Sequence, residues 1–77
     1  MEQFRTKDIY EASALLASDA KFLYLEPESN FYWFVFENAT ACRTLSDSYW
    51  RNELTVHAKA LTDAIRSLKD QIFARRD

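Results

Sequence analysis

Lys21-Phe22-Leu23-Tyr24-Leu25-Glu26-Pro27-Glu28-Ser29-Asn30-Phe31-Tyr32-Trp33-Phe34-Val35-Phe36 is the stretch whose reading sets the fold class. Both halves are rich in aromatic and aliphatic side chains, the kinds that favour a pleated strand. Pro27 stops the first half, because it has no N–H to give to a ladder. Glu28-Ser29-Asn30 reads as a turn, with Asn30 able to take the left-handed conformation that glycine otherwise supplies. The stretch is therefore read as a β-hairpin, with Lys21–Glu26 running against Phe31–Phe36.

Side chains alternate along a strand. Phe31, Trp33 and Val35 share one face, and Tyr32, Phe34 and Phe36 share the other. If Glu26 pairs with Phe31, Phe22 and Tyr24 join the first face, and Leu23 and Leu25 join the second. Both faces of the hairpin are then apolar. A lone hairpin is barely stable in water, so helices must cover it. Helices on one side only would leave Phe22, Tyr24, Phe31, Trp33 and Val35 as an apolar patch of roughly several hundred Å², at or above the largest patch of a typical monomer. Helices that straddle the hairpin would make all of these rings core.

On the N-terminal side, Thr6 reads as a helix N-cap, with Asp8 in the first turn complementing the helix dipole. Ile9, Ala12 and Leu16 recur at helical spacing, which predicts a helix over 7–18. Ser18-Asp19-Ala20 ends it without the usual glycine. On the C-terminal side, Asn38 is the next N-cap. Cys42, Leu45 and Tyr49 predict a helix over 39–51 that Asn52 can close. Glu53-Leu54-Thr55-Val56 is a short connection. Leu61, Ile65, Leu68 and Ile72 then fall on one face of a helix over 57–75. The expected fold is a single α+β domain spanning 1–77, in the order α-β-β-α-α, with a two-stranded antiparallel hairpin packed by three helices.

Seventy-seven residues leave a thin stability margin, and small scaffolds usually need help. One cysteine, Cys42, allows no internal disulfide and fits a reducing cytoplasm. Apolar packing or a partner must supply the help instead. Six Phe, four Tyr and two Trp offer the material, since each such ring buries about 150–250 Å². The polar N-terminus does not look like a targeting signal, and no apolar run approaches the roughly 20 residues of a membrane span. A chain complete from Met1, cytoplasmic and without a membrane partner, is the expectation.

Glycine is absent throughout. Phosphate loops, dinucleotide fingerprints and nucleophile elbows need backbone that only glycine provides, so none can be present in its usual form. No cofactor is expected.

The run Thr6-Lys7-Asp8-Ile9-Tyr10-Glu11-Ala12, followed by Leu15-Leu16, resembles the start of a family of short, uncharacterised bacterial and phage proteins. In that family a TKD-x-Y-x-A helix precedes an aromatic strand with an F-x-F core, and a helix with an L-K pair closes the domain. Phe34-Val35-Phe36 and Leu68-Lys69 stand in those places here. The resemblance implies a bacterial or mobile-element origin and no assigned activity.

Catalytic chemistry finds little support. His57 is the only histidine, and Cys42, on the apolar side of its helix, reads as a small hydrophobe. One His and one Cys in different helices do not make a zinc site. Glu26 and Glu28 flank a solvated turn, and a domain of this size has little room for a deep cleft beside its core. Asn38-Ala39-Thr40 matches a glycosylation sequon, but its helix-capping role accounts for Asn38. No catalytic residue and no metal ligand is expected.

Charge is unevenly spread. The net charge is −2, yet the segment from residue 57 onward carries Lys59, Arg66, Lys69, Arg75 and Arg76 against Asp63, Asp70 and Asp77. Lys59, Arg66, Lys69 and Arg76 fall within about a quarter-turn of one another on the last helix, an array suited to phosphate. Asp63 and Asp70 border that array and dilute its field. The function expected is a non-enzymatic protein–protein interaction module. It would self-associate as a homodimer through Phe22, Tyr24, Phe31, Trp33 and Val35. The alternative is a nucleic-acid-binding accessory protein of a mobile element, using Lys59, Arg66, Lys69 and Arg76.

Overall fold

The computed structural model describes residues 2–75. Its elements are β1 (Gln3–Thr6), α1 (Ile9–Ala17), β2 (Phe22–Pro27), β3 (Tyr32–Glu37), α2 (Ala39–Trp50) and α3 (Ala58–Arg75). The class is α+β with three helices, as expected. The sheet, however, has three antiparallel strands rather than two, in the order β1-β3-β2, and the chain order is β-α-β-β-α-α. The hairpin is only part of the sheet. Gln3, Phe4, Arg5 and Thr6 pair with Glu37, Phe36, Val35 and Phe34. The second edge of β3 would otherwise leave buried N–H and C=O groups without partners.

Thr6 lies in β1 and is not the helix cap. Asp8 is the cap: its Oδ1 accepts from the N–H groups of Tyr10 (2.8 Å) and Glu11 (3.0 Å). Thr6 still serves the helix start. Its Oγ1 accepts from the Asp8 N–H at 3.1 Å and donates to Glu11 Oε1 at 2.7 Å. In a capping box the third helical residue, here Glu11, reaches back to the N–H of the cap. Here the hydroxyl of Thr6 relays that contact.

The helices end on residues that stand in for glycine. Among the described residues Asp19 (φ 70°), Asn38 (φ 70°) and Asn52 (φ 61°) have left-handed backbone. After α1, the Ala20 N–H donates to Leu15 O and the Asp19 N–H to Leu16 O. After α2, the Glu53 N–H donates to Ser48 O and the Asn52 N–H to Tyr49 O. Both are Schellman caps with the left-handed residue where glycine usually sits. Asn30 does not take this conformation. The hairpin turns through Glu28–Phe31, closed by the Glu28 N–H donating to Phe31 O at 2.8 Å.

Asp and Asn tolerate the left-handed region better than other residues, but at a cost that glycine avoids. Asp19→Gly and Asn52→Gly should each raise stability by about 0.5–1 kcal/mol, and the corresponding alanines should lower it by a similar amount. Urea denaturation followed by circular dichroism checks this. Glycine variants no more stable than the alanine variants would show that these backbones carry no strain. Asn38 is a different case, because its side chain also caps α2 by accepting from the Ala41 N–H at 3.2 Å.

The core joins one face of the sheet to all three helices. Ala12 and Leu15 of α1, Cys42 of α2 and Leu68 of α3 pack with Leu25, Phe34 and Phe36; Phe4, Ile9, Phe22, Tyr32, Leu45 and Ile72 close around them. The predicted periodic face of α3 is turned inward, with Ala64 and Leu68 buried and Leu61, Ile65 and Ile72 half-buried.

Candidate functional site

Residues directly opposite one another in an antiparallel pair point to the same face. Phe34 lies between Thr6 and Leu25, and Phe36 between Phe4 and Phe22. These residues belong to the helix-covered face, as does Tyr32 opposite Pro27. The other face carries Trp33 opposite Glu26, and Val35 between Arg5 and Tyr24. Among the described residues, the core cluster that includes the helices contains nothing from this second face.

Glu26 pairs with Trp33 rather than with Phe31. A slip of two residues preserves facing, so Tyr24, Trp33 and Val35 do share a face. Phe22 does not join them. A bulge between Phe22 and Tyr24 adds one residue to β2. One extra residue reverses facing beyond it. Phe22 therefore turns to the helices and packs edge-on against Phe36, with ring centroids 5.5 Å apart. Phe31 lies just before β3, its ring edge-on to Trp33 at 5.3 Å and beneath the Lys7 ammonium at 5.2 Å.

The uncovered face is not a bare apolar sheet. Val35 is 0% exposed although no helix residue packs on it in that cluster. Two side-chain bridges span β3 and seal it. Arg5 Nε lies 3.3 Å from Glu26 Oε1, and its guanidinium sits 5.3 Å from the Trp33 ring. The Tyr24 hydroxyl donates to Gln3 Oε1 at 3.4 Å. Each bridge joins β1 to β2 across the central strand. With both partners of the ion pair over a third exposed, solvent screens it, and it contributes at most about 1 kcal/mol. The expected continuous apolar patch is thus interrupted. What remains at the surface is Tyr24 at 45% exposure, half-buried Phe31 and Trp33, the polar bridges between them, and exposed Glu37 opposite Gln3.

The basic residues of α3 are less concentrated than their spacing implies. Lys59 Nζ is 3.1 Å from Asp63 Oδ2, an i,i+4 pair on the helix surface. Arg66 and Lys69 line a shallow hollow of about 400 Å³ with Thr62, Ile65, Asp70 and Phe73. Phe73 is 73% exposed. Arg76 lies outside the described residues.

His57 is exposed and Cys42 is buried, its Sγ 3.5 Å from Glu37 O. Burial pushes the Cys42 thiol above its ordinary range, which disfavours the thiolate needed for nucleophilic work. Among the described residues no three His, Cys, Asp or Glu side chains converge as a metal site. A hollow of about 500 Å³ opens at the turn end of the sheet, bordered by Lys7, Ile9, Phe31, Tyr32 and Ile72. Glu28 is the one carboxylate in its lining, and neither His57 nor Cys42 reaches it. Among the described residues, no helix is long and apolar enough to cross a membrane.

Glu11 is the polar residue that the sequence reading passed over. It is 6% exposed, and its second oxygen accepts from the Ser46 hydroxyl of α2. One carboxylate thereby ties α1 to β1 through Thr6 and to α2 through Ser46. The spacing Asp8-x-x-Glu11 carries the signal, since a cap followed three residues later by Glu marks a capping box. Both carboxylate oxygens are taken up by hydroxyls of the fold, which makes Glu11 a structural tie. Tyr49 stands close to this end of α1. Its phenol is pushed up by burial first, and then by the negative charges of Asp8 and Glu11.

Compared with protein-family models, with curated proteins and with solved structures, the chain matches none of them.

Proposed function

We propose that this chain is a contact module, without chemistry of its own, that self-associates through the uncovered face of its sheet. The observation that carries this reading is the contrast between the two faces. Phe34 and Phe36 are fully buried beneath the helices, while Tyr24, Phe31 and Trp33 keep accessible surface on a side without helical cover. Tyr, Trp and Arg dominate the energetics of protein interfaces, and this face offers all three.

The partner favoured is a second copy. An isologous dimer needs a patch complementary to itself. This face presents a cation on β1, Arg5, and an anion on β2, Glu26, with aromatic surface between and around them. The patch is small. Strands about 4.8 Å apart, β1 of four residues and β2 and β3 of six, span roughly 260 Å² in projection, short of the roughly 800 Å² per partner in a standard interface. The dimer is therefore weak and forms at micromolar or higher concentration.

Sedimentation equilibrium from about 10 µM to about 1 mM covers the range that such a patch implies. A monomer–dimer equilibrium is expected, together with a blue shift of Trp33 fluorescence in a Trp50→Phe background as dimer accumulates. Tyr24→Ser combined with Trp33→Ser should keep the fold and lose the dimer. A wild-type chain that stays monomeric over the whole range rules the reading out.

A further inference from the structure

We infer that the hollow on α3 is a weak, sequence-independent binding site for single-stranded nucleic acid, with Phe73 stacking on an unpaired base and Arg66 and Lys69 holding phosphates. Helix α3 packs on the covered side of the sheet, so the site stands apart from the self-association face and does not rest on it. Arg66, Lys69 and Phe73 follow at i, i+3 and i+7, the spacing that keeps side chains on one helical face. Together with Thr62, Ile65 and Asp70 they line the hollow of about 400 Å³. Ile65 is half-buried, while Phe73 is 73% exposed. A single exposed ring is ordinary on a protein surface. This one is set apart by the charges beside it.

Among the described residues, the ion pairs are Arg5–Glu26, Arg43–Glu2 and Lys59–Asp63. Arg66 and Lys69 enter none of them, and Lys59 already holds Asp63. Asp70 is the one acid in the lining. Two cations against one acid leave the hollow positive on a chain whose net charge is −2. Charge complementarity therefore selects an anion, and the open ring selects a flat apolar group beside it. A single strand supplies both, because each nucleotide joins a phosphate to a base with a free π-face. A duplex keeps its bases within the stack and offers the charge alone. Seven residues of helix separate Arg66 from Phe73, about 10 Å; that matches about three nucleotides of a stacked strand at roughly 3.4 Å each. Thr62, the neutral polar side chain in the lining, spends its hydroxyl proton on Ala58 O at 3.1 Å. No side-chain amide lines the hollow to read a base edge, so binding does not depend on sequence. Asp70 offsets one cation, which keeps the affinity low and the binding confined to low salt.

Fluorescence anisotropy of a labelled dT oligonucleotide of about 12 nucleotides, titrated with the full chain over a range of salt, tests the site. Arg66, Lys69, Asp70 and Phe73 are all exposed, so their substitution leaves the fold in place. Each phosphate contact to a single strand contributes about 0.7 to the slope of log affinity against log salt. Arg66→Gln and Lys69→Gln should each make that slope shallower by about 0.7, and Asp70→Asn should strengthen binding. Phe73→Ala should weaken binding at least about fivefold, the low end for loss of a stacked base. It should leave the slope, and any binding to a duplex of equal length, unchanged. An rU oligonucleotide should bind as dT does. No binding at low salt overturns the site, as does a single-strand affinity or salt slope that none of the variants moves. A polyglutamate peptide that displaces the probe as well as unlabelled dT also overturns it, in favour of an acidic protein segment. Self-association is read separately by sedimentation, and none of these outcomes touches it.

Discussion

Phe34→Ala should cost the chain about 3–5 kcal/mol, a quarter or more of its whole stability. Phe34 is 2% exposed in the central strand, flanked by Thr6 on β1 and Leu25 on β2, and it belongs to the core shared with all three helices. Truncating a buried Phe to Ala costs about 3–5 kcal/mol, from lost transfer free energy plus the cavity left behind. At roughly 0.05–0.15 kcal/mol per residue, a chain of this length has about 4–11 kcal/mol in total. The substitution removes about a quarter of that at the least and all of it at the most. Among the described residues no disulfide compensates, since Cys42 is a free thiol. Phe73→Ala provides the contrast: the ring is 73% exposed, so the change should stay within about 0.5 kcal/mol. Urea titration by circular dichroism separates the two. Similar losses at Phe34 and Phe73 would mean that the core is not where the packing puts it.

The second large effect is expected at Glu11, and it depends on which residue replaces it. Glu11→Ala leaves the hydroxyls of Thr6 and Ser46 without their acceptor in a buried site, and opens a space where the side chain stood. Stranded buried polar groups cost about 1–3 kcal/mol each, so a loss of about 2–4 kcal/mol is expected. Glu11→Gln keeps the length and one acceptor oxygen. The amide can then donate to Ser46, whose hydroxyl rotates to accept. That variant should lose about 1 kcal/mol or less. The same denaturation assay measures both. A glutamine variant as damaged as the alanine variant would show that the negative charge itself holds the network, in place of the hydrogen bonds assigned here.

How much could be read without coordinates varied from element to element. The periodic faces of α1, α2 and α3 and the aromatic runs of β2 and β3 are local patterns, and the structure keeps them. So are the stops at Asp19 and Asn52, which follow from the absence of glycine. Strand β1 offered one ring, Phe4, among four residues. Nothing local separates Gln3-Phe4-Arg5-Thr6 from a polar tail; the open edge of β3 makes it a strand. Glu11 was legible as a capping residue from its spacing to Asp8, but its tie to Ser46 spans 35 residues of sequence and waits on α2 docking beside α1.

The candidate face divides the same way. Alternation along the chain put Tyr24, Trp33 and Val35 on one side, because a strand repeats every two residues whatever surrounds it. The bulge that turns Phe22 inward could not be read from that alternation, since it exists only in the pairing of β2 with β3. Nor could the sealing of Val35, which needs Arg5 and Tyr24 brought to either side of it by two strands distant in sequence. Composition and periodicity determined that the chain has more ring surface than one sheet face can take. Which rings stay in contact with water was decided by strand pairing and helix docking, because those alone fix what stands opposite each side chain.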